Sequence, residues 1–181
     1  MLNLSGLVES LRAVPAFREG LHAARRRETP AYGVLRAARP FVVAALAREW
    51  TAPIVIITAR IDRAYNLSEQ LPVWMGTTEG IYRFGEPAPL FYERAPWSDT
   101  AIRARLETLA ALMPPEDADL TPMPPIIVAS ARALMQRTLP VNHFRQRAMV
   151  LRRGERYALD KLIAGWVALG YEPASMVIEP G

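Results

Sequence analysis

Two runs of this 181-residue chain constrain most of what it can fold into. Ile54-Val55-Ile56-Ile57-Thr58 and Ile126-Ile127-Val128-Ala129 are apolar, β-branched and almost unbroken. A half-exposed strand alternates apolar with polar residues, whereas a continuous run is expected of a parallel strand covered on both faces. Helical patterns flank the first run. Pro40 suits the first turn of a helix through about Trp50, with Phe41, Val42, Ala45, Leu46 and Glu49 at helical spacing. Residues 60 to 71 suggest another helix. Helix, buried strand and helix in that order indicate a doubly wound α/β layer.

The segment leading into the Pro40 helix has the outline of a phosphate-binding loop, G-x-x-x-x-G-K-[ST]. It reads Gly33-Val34-Leu35-Arg36-Ala37-Ala38-Arg39-Pro40. Ala38 stands for the second Gly and brings a Cβ where close backbone approach is wanted. Arg39 stands for the Lys and lacks its compact ammonium. Pro40 replaces the Mg²⁺-binding hydroxyl and has no backbone N–H. The one lysine, Lys161, lies far downstream. The loop is degenerate, no cofactor is expected on it, and an active NTPase is the least favoured reading. A plain strand-to-helix turn in an α/β sheet fits the residues better.

The remaining segments read as follows. Residues 4 to 12 and 15 to 27 form two short helices, with Pro15 opening the second and Arg25-Arg26-Arg27 closing it. Ile81-Tyr82-Arg83-Phe84 is a short strand. Ser98 caps a helix carrying Ile102, Leu106, Leu109 and Met113 on its apolar face. Residues 114 to 125 are a proline loop holding Asp117 and Asp119. Ser130 caps a short helix from Ala131 to about Arg137. His143 falls in a loop, 148 to 151 reads as a strand, and Arg153-Gly154 as a turn. Leu159, Leu162, Ile163, Trp166 and Leu169 mark a helix ended by Gly170 at C′. Residues 175 to 178 begin another strand.

Charge and composition narrow the function. No run reaches the ~18–20 apolar residues that span a bilayer, so no membrane partner is expected. The N-terminus lacks the pattern of a secretion signal, and a cytoplasmic location fits best. The absence of cysteine excludes disulfides, thiolate catalysis and Cys-ligated metal. His22 and His143 have no ligand spacing, so no metal site is expected, and no residue set supports catalysis. Phe84, Phe91, Tyr92 and Trp97 are read as packing residues rather than a base-stacking platform. Residues 132 to 161 hold eight basic and two acidic side chains, whereas residues 1 to 131 are electrically neutral. That stretch is either a solvated surface or a binding face for an acidic protein or for nucleic acid.

Two stretches carry a resemblance. One runs from Pro89-Leu90-Phe91-Tyr92-Glu93-Arg94-Ala95-Pro96 to Arg105-Leu106-Glu107-Thr108-Leu109. The other is Ile126-Ile127-Val128-Ala129-Ser130-Ala131-Arg132-Ala133-Leu134-Met135-Gln136-Arg137, continuing through Leu151-Arg152-Arg153-Gly154 and Gly170-Tyr171 to Glu179-Pro180-Gly181. Together they resemble the N-terminal UvrB-homology module of the bacterial transcription-repair coupling factors. The resemblance implies a P-loop-NTPase-like parallel sheet flanked by helices, with a degenerate loop, followed by the first part of a small α+β domain. It divides the chain into N-terminal helices (1–30), a UvrB domain-1-like part (31–138) and a partial domain-2-like segment (139–181). It implies a non-catalytic role in nucleotide excision repair, with UvrA bound through the domain-2-like segment. RNA polymerase and DNA would engage other parts of such a factor.

On that basis Arg152, Arg153 and Arg156 are the expected partner-binding residues, pairing with carboxylates on UvrA, with Tyr171 at the rim. The alternative is a nucleic-acid-binding fragment acting through the basic stretch. Three departures from the family pattern stand out. Phe91 replaces a proline, and Glu172-Pro173-Ala174, without the family's arginine, follows Tyr171. The family's hairpin arginines beyond Glu-Pro-Gly are also missing. The expectation is therefore weak or absent UvrA binding, marginal stability of 139–181, and self-association through an exposed helix face.

Overall fold

Three strands at the centre of the first unit set its architecture. The computed structural model describes residues 3–87, 96–113 and 123–174. It divides into two compact units, Met1–Gln136 and Arg137–Gly181. The first contains a 3-10 turn at Ser5–Leu7, then α1 (Val8–Arg12), α2 (Pro15–Arg25), a 3-10 turn at Arg36–Ala38 and α3 (Arg39–Glu49). β1 (Ile54–Thr58), α4 (Ile61–Met75), β2 (Ile81–Phe84), α5 (Asp99–Leu112), β3 (Ile126–Ser130) and α6 (Ala131–Met135) follow. The sheet is parallel with order β1-β3-β2 and places Ile54 and Ile81 on either side of Ile126. The chain is an α/β protein with helices flanking a parallel sheet.

Residue parity sorts the core into two layers. Ile54, Ile126 and Val128 face a cluster with Val8, Phe17, the α3 alanines Ala44, Ala45 and Ala47, and Ala64, Leu71 and Met75 of α4. Ile127 and Ala129 face the other way, with Phe84, Ala133 and Tyr82. β3 is buried along its whole length, as its sequence predicts. β1 is not, although its sequence predicts two covered faces. It is an edge strand, and Val55 and Ile57 are 50% and 60% exposed. On that side α5 packs on β2 at the opposite edge and α6 on β3, so among the described residues no helix covers the odd residues of β1.

Other expectations are corrected in the same way. α3 does not follow a strand: residues 28–35 have no regular structure, and the first strand comes after the helix. Only Arg39 and Arg48 of α3 are exposed, so it is covered nearly all round rather than along one stripe. α4 extends past residue 71 to Met75 with Pro72 inside it, and ends where Gly76 takes a left-handed φ of 77°. Ser98 caps α5, its Oγ accepting from the Ala101 N–H at 3.3 Å. The buried face of α5 is Ala101, Arg105, Thr108 and Leu109, whereas Ile102 and Leu106 are exposed. α6 stops at Met135, short of Arg137.

The second unit contains α7 (Val141–Arg147) and α8 (Leu159–Ala168). His143 lies in α7, not in a loop. Residues 148–151 are not a strand, and no strand occurs among the described residues of this unit. Among the described residues of this unit an isolated β-pattern has no partner to satisfy its backbone groups. The end of α8 follows expectation. Gly170 has φ 99°, its N–H donates to Val167 O and the Tyr171 N–H donates to Trp166 O, both at 3.0 Å, the paired bonds of a Schellman motif. Leu162, Gly165 and Trp166 are half-buried, and Leu159, Ile163 and Val167 form an exposed apolar strip. The strand expected at 175–178, the 114–122 loop with Asp117 and Asp119, and Phe91 and Tyr92 lie outside the described residues.

Candidate functional site

The loop before α3 has the sequence outline of a phosphate cradle, and its backbone is arranged differently. Such a cradle needs free N–H groups converging on one point. Here the Ala38 N–H donates to Leu35 O at 2.9 Å, the Arg39 N–H donates to Arg36 O, and Pro40 has none. Gly33 has no contact that demands glycine: an added Cβ would meet nothing within 4 Å. Pro40 is buried as the second residue of α3, where a missing N–H costs nothing.

Beside this loop a cleft of about 820 Å³ opens at the carboxyl end of β1. Its walls are Arg36 and Arg39 on one side and Arg60, Asp62 and Arg63 on the other, with Val43, Ile56 and Leu67 also lining it. Asn66 and Gln70 supply further polar groups. Arg60 and Asp62 form a pair at 2.9 Å, and the Arg60 guanidinium holds the Asp62 carboxyl below its usual range against the opposing pull of desolvation. Sequence inspection singled out Arg39 but not Arg60 or Arg63. The available signal was their i, i+3 spacing directly after a strand.

A second feature was not legible at all. Arg105, only 5% exposed, lies between Phe84 and Trp97, with its guanidinium carbon 3.9 and 5.0 Å from the two ring centres. Its Nη1 donates to the carbonyls of Gly85 and Ala133, each at 3.0 Å. Burial pushes this guanidinium down from its ordinary range. Nearby, Ser130 Oγ accepts from the Ala133 N–H at 3.0 Å, capping α6, and donates to the Glu86 carboxylate. Arg132 completes the group with a 3.1 Å bond to the same carboxylate. Arg132 opens the basic stretch, and it is committed to the first unit's interior edge.

In the second unit Arg152, Arg153 and Arg156 lie on one turn around Gly154, whose φ of 93° permits the reversal. The turn is tied by Tyr157: its hydroxyl accepts from the Arg152 N–H at 2.9 Å and donates to Glu155. Arg152 also pairs with Glu155 at 3.8 Å. Arg153 and Arg156 are exposed and make no side-chain bond among the described residues. Tyr171 is exposed at the end of α8 and is joined to that turn by no hydrogen bond or ring contact among the described residues. His22 and His143 are exposed, and no group of three metal-ligating side chains occurs among the described residues. No described helix is long and apolar enough to cross a membrane.

Along nearly its whole length the chain is similar to curated transcription-repair-coupling factors. It is 31% identical to that of Mycobacterium tuberculosis over 176 residues, which takes in 96% of this chain and 14% of the relative. Against the Bacillus subtilis protein the identity is 25% over 181 residues, 100% of this chain and 15% of the relative. Against the Escherichia coli protein it is 25% over 140 residues, 77% of this chain and 11% of the relative. The chain thus spans between 11% and 15% of the length of these relatives. No protein-family model matches it.

Proposed function

We propose that this chain, a homologue of part of the transcription-repair-coupling factors, is a non-catalytic UvrB-like module acting in nucleotide excision repair. In this reading its second unit recruits UvrA. The observation that carries it is the continuity of the similarity: at 31% identity it covers 96% of the chain, both units included. The loop geometry supports a non-catalytic role, because the N–H groups of Ala38 and Arg39 are already spent within the chain. Arg153 and Arg156 support the recruiting role, since exposed guanidiniums with no carboxylate partner among the described residues are ready to pair with acidic groups on a partner. Arg152 holds the turn and contributes charge. Tyr171 forms the rim. RNA polymerase and DNA engage other parts of the factor.

Surface plasmon resonance with the immobilised chain and purified UvrA tests this. Weak, saturable binding is expected, lowered about tenfold by a combined Arg152→Glu, Arg153→Glu and Arg156→Glu change. Undiminished binding by the triple variant removes the site. UvrA retention no better than on an unrelated protein removes the recruiting role. Binding of random duplex DNA that falls steeply with salt and outcompetes UvrA favours a nucleic-acid role for the basic stretch.

A further inference from the structure

We propose that the cleft at the carboxyl end of β1 is a metal-independent binding site for a small polyphosphate anion. Its position is the first argument. After β1 the chain turns to the layer of α4, which packs with Ile126 and Val128. The cleft opens where β1 ends, between the starts of α3 and α4, with Ile56 to Ala59 in its lining. Open α/β sheets bind ligands outside the carboxyl ends of their strands. The volume of about 820 Å³ lies within the roughly 300–1,000 Å³ of small-ligand sites.

The electrostatics are the second argument. Four guanidiniums, those of Arg36, Arg39, Arg60 and Arg63, line the cleft against the single carboxylate of Asp62, which Arg60 already engages. Elsewhere in this unit arginines are mostly committed: Arg12 and Arg48 to Glu9, Arg26 to Glu28, Arg132 to Glu86, Arg83 over the Tyr65 ring. Besides Arg18 and Arg27, the described arginines of this unit with no side-chain bond or ring contact are Arg36, Arg39 and Arg63. All three of these line one concavity. Converging like charges repel one another, and a multivalent anion relieves that repulsion.

The arrangement selects a polyphosphate. The cations come from two walls, so one ligand must present anionic groups to both, and guanidinium forks match phosphate oxygens bidentately. Asn66 and Gln70 can donate to the remaining oxygens. With Asp62 engaged and no group of three metal ligands among the described residues, the neutralising charge is supplied by side chains. This differs from a backbone amide cradle: Gly33 and Ala38 are not in the lining.

Isothermal titration calorimetry of the 181-residue chain with inorganic tripolyphosphate, in the presence of EDTA, tests the proposal. A single saturable site insensitive to EDTA is expected. The double change Arg36→Gln, Arg39→Gln and the single change Arg63→Gln each weaken binding about tenfold or more. These side chains are exposed, so the urea midpoint stays unchanged. The control Arg18→Gln, Arg27→Gln removes two equally uncommitted arginines outside the cleft and leaves affinity as it was. Absence of saturable binding, an equal loss in the control, a requirement for divalent metal, or a duplex oligonucleotide on the same arginines that tripolyphosphate cannot displace would each overturn it.

Discussion

The guanidinium of Arg105 stacks on the ring of Phe84 at 3.9 Å while bonding two main-chain carbonyls. One side chain therefore joins α5 to the end of β2 and to α6. A buried cation is tolerated here because its charge meets ring faces and carbonyl oxygens together. Replacement by Ala strands the carbonyls of Gly85 and Ala133 and opens a void, costing about 3 kcal/mol or more. Arg105→Lys does not restore stability, because an ammonium lacks the planar stack and the fork. Urea unfolding checks both, and full recovery in the Lys variant would refute the stacking account.

Ser130 and Ser98 both cap helices, and their substitutions should differ. Ser98→Ala removes one cap bond and costs about 1 kcal/mol. Ser130→Ala removes a cap and also a donor to the largely buried Glu86 carboxylate, so about 2 kcal/mol or more is expected. Thermal unfolding of the two variants side by side gives the comparison. Equal losses would mean that Glu86 is satisfied without Ser130.

Glycine is required in some places and not in others. A Cβ on Gly85 would lie 2.4 Å from the Ala101 carbonyl oxygen, a backbone atom that cannot swing away. Gly85→Ala should therefore destabilise by about 2 kcal/mol or more. Gly33→Ala meets nothing and should be neutral or stabilise by up to about 1 kcal/mol through the unfolded chain. A large loss at Gly33 would restore a structural purpose to the loop's first glycine.

These contrasts show what the sequence conveys. Local signals were legible: the Ser98 and Ser130 caps and the αL glycine at 170 all depend on neighbours close in the chain. Non-local coverage was not. Whether Val55 and Ile57 are covered depends on where α5 lies, and the burial of Arg105 depends on Phe84, Trp97 and two distant carbonyls. Of the candidate residues, Arg152, Arg153 and Arg156 lie together because five positions of chain hold them. The meeting of Arg36 and Arg39 with Arg60 and Arg63 needed the fold, since a helix and a strand separate the two pairs.

Acid should loosen the N-terminal helices. Hydrogen bonds from Arg12 and then Arg48 hold the Glu9 carboxyl below its ordinary value of 4.5. A depressed folded-state pKa contributes stability above the unfolded value and loses it as pH falls through the folded one. The window therefore lies below about pH 4.5. Glu9→Gln should slightly lower stability at neutral pH and flatten the decline below about pH 4.5. Added salt should shrink the difference, because the pair is exposed. An unaltered acid profile in Glu9→Gln would exclude this contact as its source.

The fully or nearly buried alanines of α3 have a consequence for the arginines above them. Ala44, Ala45 and Ala47 sit in the cluster that α3 shares with α4, while the first turns of these two helices carry the opposing walls of the cleft. The gauge of that cleft is thus set by methyl groups about one to two turns below it. Enlarging any of them to Val or Leu would act as a wedge, moving the cationic walls apart without altering a single charge.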